Sequence, residues 1–305
     1  MMVIAMASRA LGLLFCLVLL GRGQMLNNTC EGLDKELEQL VRAPKTRAIM
    51  YIMAHNNESK AIAESYRRCR EDWTRVAQIV TTPFFESIVY RSYLPYQASE
   101  FAHVDYVILA PYKVFSRKML PRYMPVLKFN NIRRLLRVAR AEDYDVVPFM
   151  RDFEEMMPTS VKYHTEAFKF TWNALLQNLG YNMSVIESLY SMKAFYRNAF
   201  IIKPKVLVQL MDLMSSAIHT AEDNVFIRSL LRADAKYILG QKDVAMRVFG
   251  TPYYQLHPFV FERLPAFFLY ASGARICMGP GTPCKYNYNG DPGRERVSNK
   301  PAPKT

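Results

Sequence analysis

Apolar positions along the chain fall into two patterns: short unbroken runs, and longer stretches spaced three or four residues apart. Ala48-Ile49-Met50-Tyr51-Ile52-Met53-Ala54 is an unbroken run of strand length, ending in the turn-prone His55-Asn56-Asn57. Beyond it, Ile62, Tyr66, Cys69, Trp73, Val76 and Ala77 mark one face of a predicted helix. Residues 79–93 show no clear period and are bounded by Pro83 and Pro95. Val104-Asp105-Tyr106-Val107-Ile108-Leu109-Ala110 predicts a second strand, stopped by Pro111. A helix is predicted over 130–140, with Ile132, Leu135, Leu136 and Ala139 on its core side and Arg133, Arg134, Arg137 and Arg140 on a solvated side. It leads into Glu142-Asp143-Tyr144-Asp145 and the short apolar run Val146-Val147-Pro148-Phe149.

The second half repeats the alternation. Tyr163-His164-Thr165-Glu166 precedes a helix whose Phe168, Trp172, Leu175, Leu176 and Leu179 share a face, and Gly180 suits the left-handed residue after it. A connector over 181–192 follows. Tyr196-Arg197-Asn198-Ala199-Phe200-Ile201-Ile202-Lys203-Pro204 then reads as a buried strand that runs directly into a helix carrying Val206, Leu207, Leu210, Leu213, Met214 and Ala217. Thr220-Ala221-Glu222-Asp223-Asn224 reads as the acidic start of another helix over 225–231. Residues 250–259 form an aromatic loop, and Phe261 to Phe268 an apolar closing segment. Strands alternating with helices predict an α/β domain.

Composition agrees with a packed core: 50% of the 305 residues are hydrophobic and 13% aromatic. The net charge of +13 is accompanied by no helix-turn-helix, zinc-finger or RNP signature, so nucleic acid is not an expected partner. A basic surface also suits anionic ligands such as nucleotide diphosphates, acidic glycans or lipid headgroups.

The N-terminus changes the picture further. Arg9 precedes an apolar run over 10–20, short of the ~20 residues needed to span a bilayer, and Gly21-Arg22-Gly23 resembles a cleavage site. Residues 1–23 are expected to be a signal peptide, or alternatively an uncleaved anchor that would associate the protein with a membrane. Asn27-Asn28-Thr29, Asn57-Glu58-Ser59 and Asn182-Met183-Ser184 are glycosylation sequons. Four cysteines outside the leader, Cys30, Cys69, Cys277 and Cys284, allow up to two disulfides, with Cys277 and Cys284 placed to close a local loop. The expected location is the secretory pathway, in the Golgi lumen or outside the cell. Residues 24–45 read as a polar lead-in with a short helix over 33–41, and 271–305 as a disordered basic tail. There is no internal repeat.

Candidate chemistry sits where strands meet helices. The sequence has no Gly-x-Gly-x-x-Gly and no P-loop, so a standard dinucleotide or ATP grip is disfavoured. Asp143-x-Asp145 pairs two carboxylates that can converge on Mn2+ or Mg2+ and so bridge a diphosphate; against this, it stands before a strand rather than after one. His55 and Asn56 end the first strand, His164 opens a helix, Asn198 opens the third long run, and His257 lies in the aromatic loop. Each has an ordinary reading as a cap, a solvated group or a hydrogen-bonded core residue.

Taken as a set, the segments resemble something known. Tyr196 to Pro204 resembles the aromatic-x-Asn-small-apolar-apolar-apolar-x-Pro segment of many GT-A glycosyltransferases. Three further pieces extend the likeness over about Thr46 to Tyr270: Tyr144 to Phe149; His164 with Phe168, Trp172, Leu175, Leu176, Leu179, Gly180 and Tyr181; and Gly250-Thr251-Pro252-Tyr253-Tyr254 with His257 to Arg263. Together they resemble a glycosyltransferase-like group of algae, large algal viruses and bacteria. The resemblance implies a single GT-A-like, Rossmann-like domain over 46–270 with a mixed central sheet flanked by helices, a nucleotide-sugar donor, a glycan acceptor and a divalent metal.

On that footing His55, Asn56, His164, Asn198 and His257 are expected to bind the donor, Asp143 and Asp145 the metal or ribose, and Glu222 or Asp223 to take the acceptor proton. The expectation requires His55, Asp145, Asn198 and His257 to meet at one rim of one cleft. The competing expectations are a secreted, non-catalytic glycan-binding protein on the same fold and a basic surface-associated structural protein.

Overall fold

The computed structural model describes residues 47–68, 73–115, 129–149, 154–196, 198–237 and 242–277. The leader, the lead-in, the Asn27 sequon, Cys30, Cys69, Cys284 and the tail beyond 277 lie outside the described residues.

Five strands form the central sheet: β1 (Ala48–Ala54), β2 (Thr74–Gln78), β3 (Tyr106–Pro111), β4 (Val146–Pro148) and β7 (Phe200–Ile202), in the order β2-β1-β3-β7-β4. A separate pair, β5 (Glu154–Glu155) and β6 (Lys193–Ala194), is antiparallel. In the main sheet β1 runs parallel to β2 and β3, while β7 is antiparallel to both β3 and β4. The sheet is therefore mixed, as expected for this fold class. Helices flank it, the longest being Met156–Asn178 and Pro204–Asp223.

Why these elements form follows from the pattern. β1, β3, β4 and β7 are apolar throughout because both faces are covered, and nearly every residue in them is buried. Their side chains belong to one contiguous core with Trp172, Phe168, Phe195, Phe261, Phe267 and Phe268. Pro204 starts its helix at the first turn, where a missing N–H costs nothing.

The structure differs from the sequence expectation in several places: the helix expected after Glu166 already begins at Met156, the connector over 181–192 contains the helix Met183–Ser188, and a helix not expected spans Lys242–Phe249. The first helix stops at Arg67, and Trp73 to Ala77, expected on its far end, instead leads into and forms β2. The residues without a period contain helical turns at Phe85–Ile88 and Val89–Ser92. The acidic group Glu222-Asp223 closes the helix Pro204–Asp223 instead of opening the next; Asn224 caps the following helix Val225–Leu231 through its side chain.

Topology fixes two opposite edges of the sheet. One edge carries the ends of β1, β3 and β4 and the beginning of β7. The other carries Asp145, before β4, and Lys203, after β7. Between Asn198 and Lys203 the extended chain covers roughly 16 Å.

Candidate functional site

At the first edge, where β1 and β3 end and β7 begins, lies a cavity of about 210 Å³. Its polar lining comes from Glu86, Ser87, Lys113, Asn198 and Glu262, and its apolar lining from Phe84, Phe85, Tyr237, Tyr254, Pro258 and Phe259.

Glu86 is the most constrained of these. It belongs to the turn Phe85–Ile88 and is only 8% exposed. Burial alone would raise its pKa, but the Lys113 ammonium, 2.8 Å away, and the His55 ring, with Nε2 at 3.3 Å, outweigh it and hold the carboxyl well below the ordinary range. Lys113 follows β3 in the turn Tyr112–Phe115, and His55 directly follows β1. Two strand ends thus clamp one carboxylate. The His55 ring is held edge-on by Phe85 and Tyr112.

Asn198 faces the same cavity but is 2% exposed and engaged on both sides of its amide. Tyr90 donates its hydroxyl to Asn198 Oδ1 at 2.9 Å, and Asn198 Nδ2 donates to Ser87 Oγ at 3.1 Å. Ser87 Oγ donates onward to the Phe261 carbonyl at 3.2 Å. This chain ties the start of β7 to the Phe85–Ile88 turn and to the helix His257–Phe261.

Backbone strain concentrates here. Phe85 and Asn198, both lining the cavity, have φ of 47° and 49°, and Lys236, next to Tyr237, has φ of 52°. A left-handed phenylalanine is an outlier that costs of order 1–3 kcal/mol and persists only where its surroundings hold it.

Two of the three histidines expected to bind the donor, His164 and His257, do not line the cavity. His164 donates its Nδ1 hydrogen to the Ala235 carbonyl at 2.9 Å and lies 4.1 Å from the Phe259 ring, centroid to centroid. Burial, and then the Arg263 guanidinium, push its pKa down to about 4. His257 is likewise buried and edge-on to Phe84; burial, and then Arg232, push it down to about 4, against a hydrogen bond to the Leu231 backbone. Both rings are neutral at pH 7, and neither lines the cavity; His164 packs on Phe259 and beside Tyr237, and His257 on Phe84, which do.

Other expectations resolve into structural roles. Asn56 caps the helix Asn57–Arg67: its side chain accepts from the Ser59 N–H at 2.8 Å, and Ser59 Oγ accepts from the Asn56 N–H at 3.0 Å. Glu222 pairs with Arg91, and Asp223 with His219 at 3.0 Å; neither lines the cavity.

The Asp143-x-Asp145 pair sits at the opposite edge of the sheet, so the single-rim expectation fails for it. Lys203 Nζ lies between the two carboxylates, 2.8 Å from Asp143 Oδ1 and 2.9 Å from Asp145 Oδ1. The Arg275 backbone N–H takes Asp145 Oδ2 at 2.9 Å. Burial opposes ionisation of Asp145, but this bond and Lys203 hold its pKa below the ordinary value. A divalent ion would have to displace an ammonium already held by both acids, so the pair does not fit the metal. It is a clasp joining β4, β7 and the segment at Arg275, where Ile276 bridges Val146. Cys277, the next residue, is disulfide-bonded to a partner outside the described residues. Among the described residues no group of three or more His, Cys, Asp and Glu is placed to hold a metal ion.

The sequence reading missed Glu86, Lys113 and Glu262. Glu86 sits among residues without periodicity. Lys113 follows the proline that closes β3, and its position one turn past a strand end was the available signal.

Comparison with known proteins adds little. No family model matches the chain, and no curated protein matches it. A solved structure titled as the apo form of a bifunctional glycosyltransferase, WbbM, superposes on 76% of this chain and 44% of its own, with a TM-score of 0.45 and 13% identity. The chain thus spans less than half of that protein, and at this distance the likeness carries no argument.

Proposed function

We propose that the protein is a glycosyltransferase of the secretory pathway, moving a sugar from a nucleotide-sugar donor to a glycan or glycoprotein acceptor. The observation that carries the reading is the strand-end cavity, whose wall combines the carboxyl groups of Glu86 and Glu262 with aromatic rings. Carboxylates accept hydrogen bonds from sugar hydroxyls, and aromatic faces cover the C–H faces of the ring. Its position at the strand ends of an open α/β sheet is where such folds bind ligands. The secretory part rests on the apolar leader, the sequons and the disulfide at Cys277. Asn57 and Asn182 are both exposed.

In this reading Glu262, at the C-cap of the helix His257–Phe261, takes the role first expected of Glu222 or Asp223. Of the two carboxylates on the cavity wall, Glu86 is buried against Lys113 and His55, and we assign Glu262, whose Oε2 stands 3.9 Å from Arg263 Nη1, to accept the acceptor's hydroxyl proton. The acceptor oxygen bonds to the anomeric carbon, and the bond from that carbon to phosphate breaks. The nucleotide diphosphate departs with the electron pair.

The test is release of nucleoside diphosphate from a panel of nucleotide-sugars, with and without glycan acceptors, in manganese or in EDTA. At least one donor should turn over faster with an acceptor, and Glu262→Gln should lower that rate by a factor on the order of 100 or more. No turnover of any donor under any condition would overturn the proposal. One observation favours the second reading, a glycan-binding protein without chemistry: neither expected base, Glu222 nor Asp223, reaches the cavity. Glycan binding without donor turnover would decide for it.

A further inference from the structure

Of the polar side chains on the cavity wall, Asn198 and Ser87 are engaged with each other, with Tyr90 and with the Phe261 carbonyl. Glu86 and Lys113 are different. They form a couple 2.8 Å apart in which an acceptor and a donor line the cavity side by side. Lys113 and His55 both approach Glu86 through Oε1, which keeps Oε2 for a ligand. An ammonium carries three N–H donors, and one on Glu86 leaves two to give. Hydrogen bonds to ionised groups are roughly twice as strong as neutral ones, so both ends of the couple demand a partner. A hydroxyl both donates and accepts. Two hydroxyls on neighbouring carbons therefore match the couple, one donating to the carboxylate while the other accepts from the ammonium. A lone hydroxyl satisfies one end and leaves the other desolvated and unpaired. The volume limits what carries the hydroxyls. About 210 Å³ is below the roughly 300–1,000 Å³ of sites that enclose a drug-sized ligand, so the cavity holds one ring and not a whole nucleotide-sugar.

We infer that the cavity is a subsite for one sugar ring, read through two adjacent hydroxyl groups: one donates to Glu86, its neighbour accepts from Lys113, and the aromatic lip formed by Tyr237, Tyr254 and Phe259 covers the ring. The lip is preassembled: Tyr237 lies 5.4 Å from Tyr254 and 5.0 Å from Phe259, centroid to centroid. The couple is preoriented as well. Glu86 follows the strained Phe85, and His55 and Lys113 hold it from two strand ends. Little side-chain freedom is then lost on binding, which favours affinity. Lys113 and Glu86 are in this way the residues that set which sugar enters, since a sugar lacking either hydroxyl leaves a buried charged group without its partner. The inference rests on the glycosyltransfer reading only in supposing that the ring is a sugar.

The experiment is binding of methyl hexosides and their monodeoxy analogues to the full-length protein, by ligand-observed NMR or calorimetry. For the hexoside that binds best, removing either of two neighbouring hydroxyls should weaken binding at least about 10-fold, and removing any other by less than about 3-fold. In Lys113→Met the penalty for one of those two hydroxyls should vanish while that for its neighbour stays; in Glu86→Gln the pattern should reverse. A merely structural role would weaken parent and deoxy sugars alike and leave the ratios unmoved. Thermal melts confirm folding, and each variant is read by itself, so one that fails to fold leaves the other and the wild-type pattern as the test. Absence of hexoside binding, equal binding of all the deoxy sugars, sensitive hydroxyls that are not neighbours, or ratios unmoved in a folded variant overturns the inference even if nucleotide-sugars are turned over. Displacement of bound hexoside by free uridine or guanosine assigns the couple to a nucleobase edge and overturns it too. The adjacent-hydroxyl pattern without turnover of any donor leaves the inference standing and removes the catalytic reading.

Discussion

Asn198 shows how one side chain can hold a site without touching the chemistry. Its amide receives Tyr90, gives to Ser87, and through Ser87 reaches the Phe261 carbonyl, so three segments meet on one residue. Its φ of 49° is one that asparagine tolerates better than most residues. Asn198→Ala leaves the Tyr90 hydroxyl and Ser87 without their partner in a buried place, at about 1–3 kcal/mol for each orphaned group. We expect a loss of about 3 kcal/mol in unfolding free energy, read from the urea midpoint. A loss under 0.5 kcal/mol would mean that the network is ornamental. From the sequence Asn198 could be placed at a strand start, which was right. Its partners could not be found, because Ser87 and Tyr90 lie more than a hundred positions away in a segment without periodicity.

Among the elements, the helix Met156–Asn178 is broken where His164 and Thr165 meet. Thr165 has φ 68° and ψ 177°, a region that only glycine occupies without strain. The break is what turns His164 toward the Ala235 carbonyl and so anchors the loop that presents Tyr237. Because the strain is of order 1–3 kcal/mol and a glycine costs about 0.5–1 kcal/mol in unfolded-chain entropy, Thr165→Gly should stabilise by about 1 kcal/mol. Thr165→Ala keeps the Cβ and should give no gain. Melting temperatures of the two variants decide it: equal values would show that the backbone there is relaxed.

Strands and helices with long patterns were legible. β1 stands at its predicted place and β3 within two residues of it; β7 fills only Phe200–Ile202 of the run read as a strand, and the helix after Pro204 runs on to Asp223. β2 was not legible because Trp73, Val76 and Ala77 happen to continue the spacing of the helix before them, and only pairing with β1 makes them a strand. The D-x-D pair was legible as chemistry, and its place before a strand already stood against a metal; that Lys203 at the end of the antiparallel β7 comes to lie between the two acids was not legible.

For the whole molecule, the two neutral histidines packed on the cavity's lining residues couple its integrity to pH. His164 and His257 each fall from an ordinary 6.5 to about 4 because burial and a nearby guanidinium disfavour the charged ring. Between those values the unfolded chain binds protons that the folded chain refuses, so stability is full above about pH 6.5 and is lost as the pH falls toward 4. Each ring contributes up to ~3 kcal/mol. Typical domains have only about 5–15 kcal/mol in hand, so the two together are a large share. The urea midpoint should therefore decline steadily from pH 7 to pH 4.5, and His257→Gln, which removes one titrating ring, should flatten that decline while lowering the midpoint at pH 7. A midpoint constant over this range, or an unchanged slope in the variant, would show that the rings are solvated and free to protonate in the folded protein. Asp145 and Glu86, whose pKa values are depressed, begin to lose their contributions as the pH falls into the usual carboxylate range, from about pH 5, so the histidine part of the decline is the part between pH 7 and about 5.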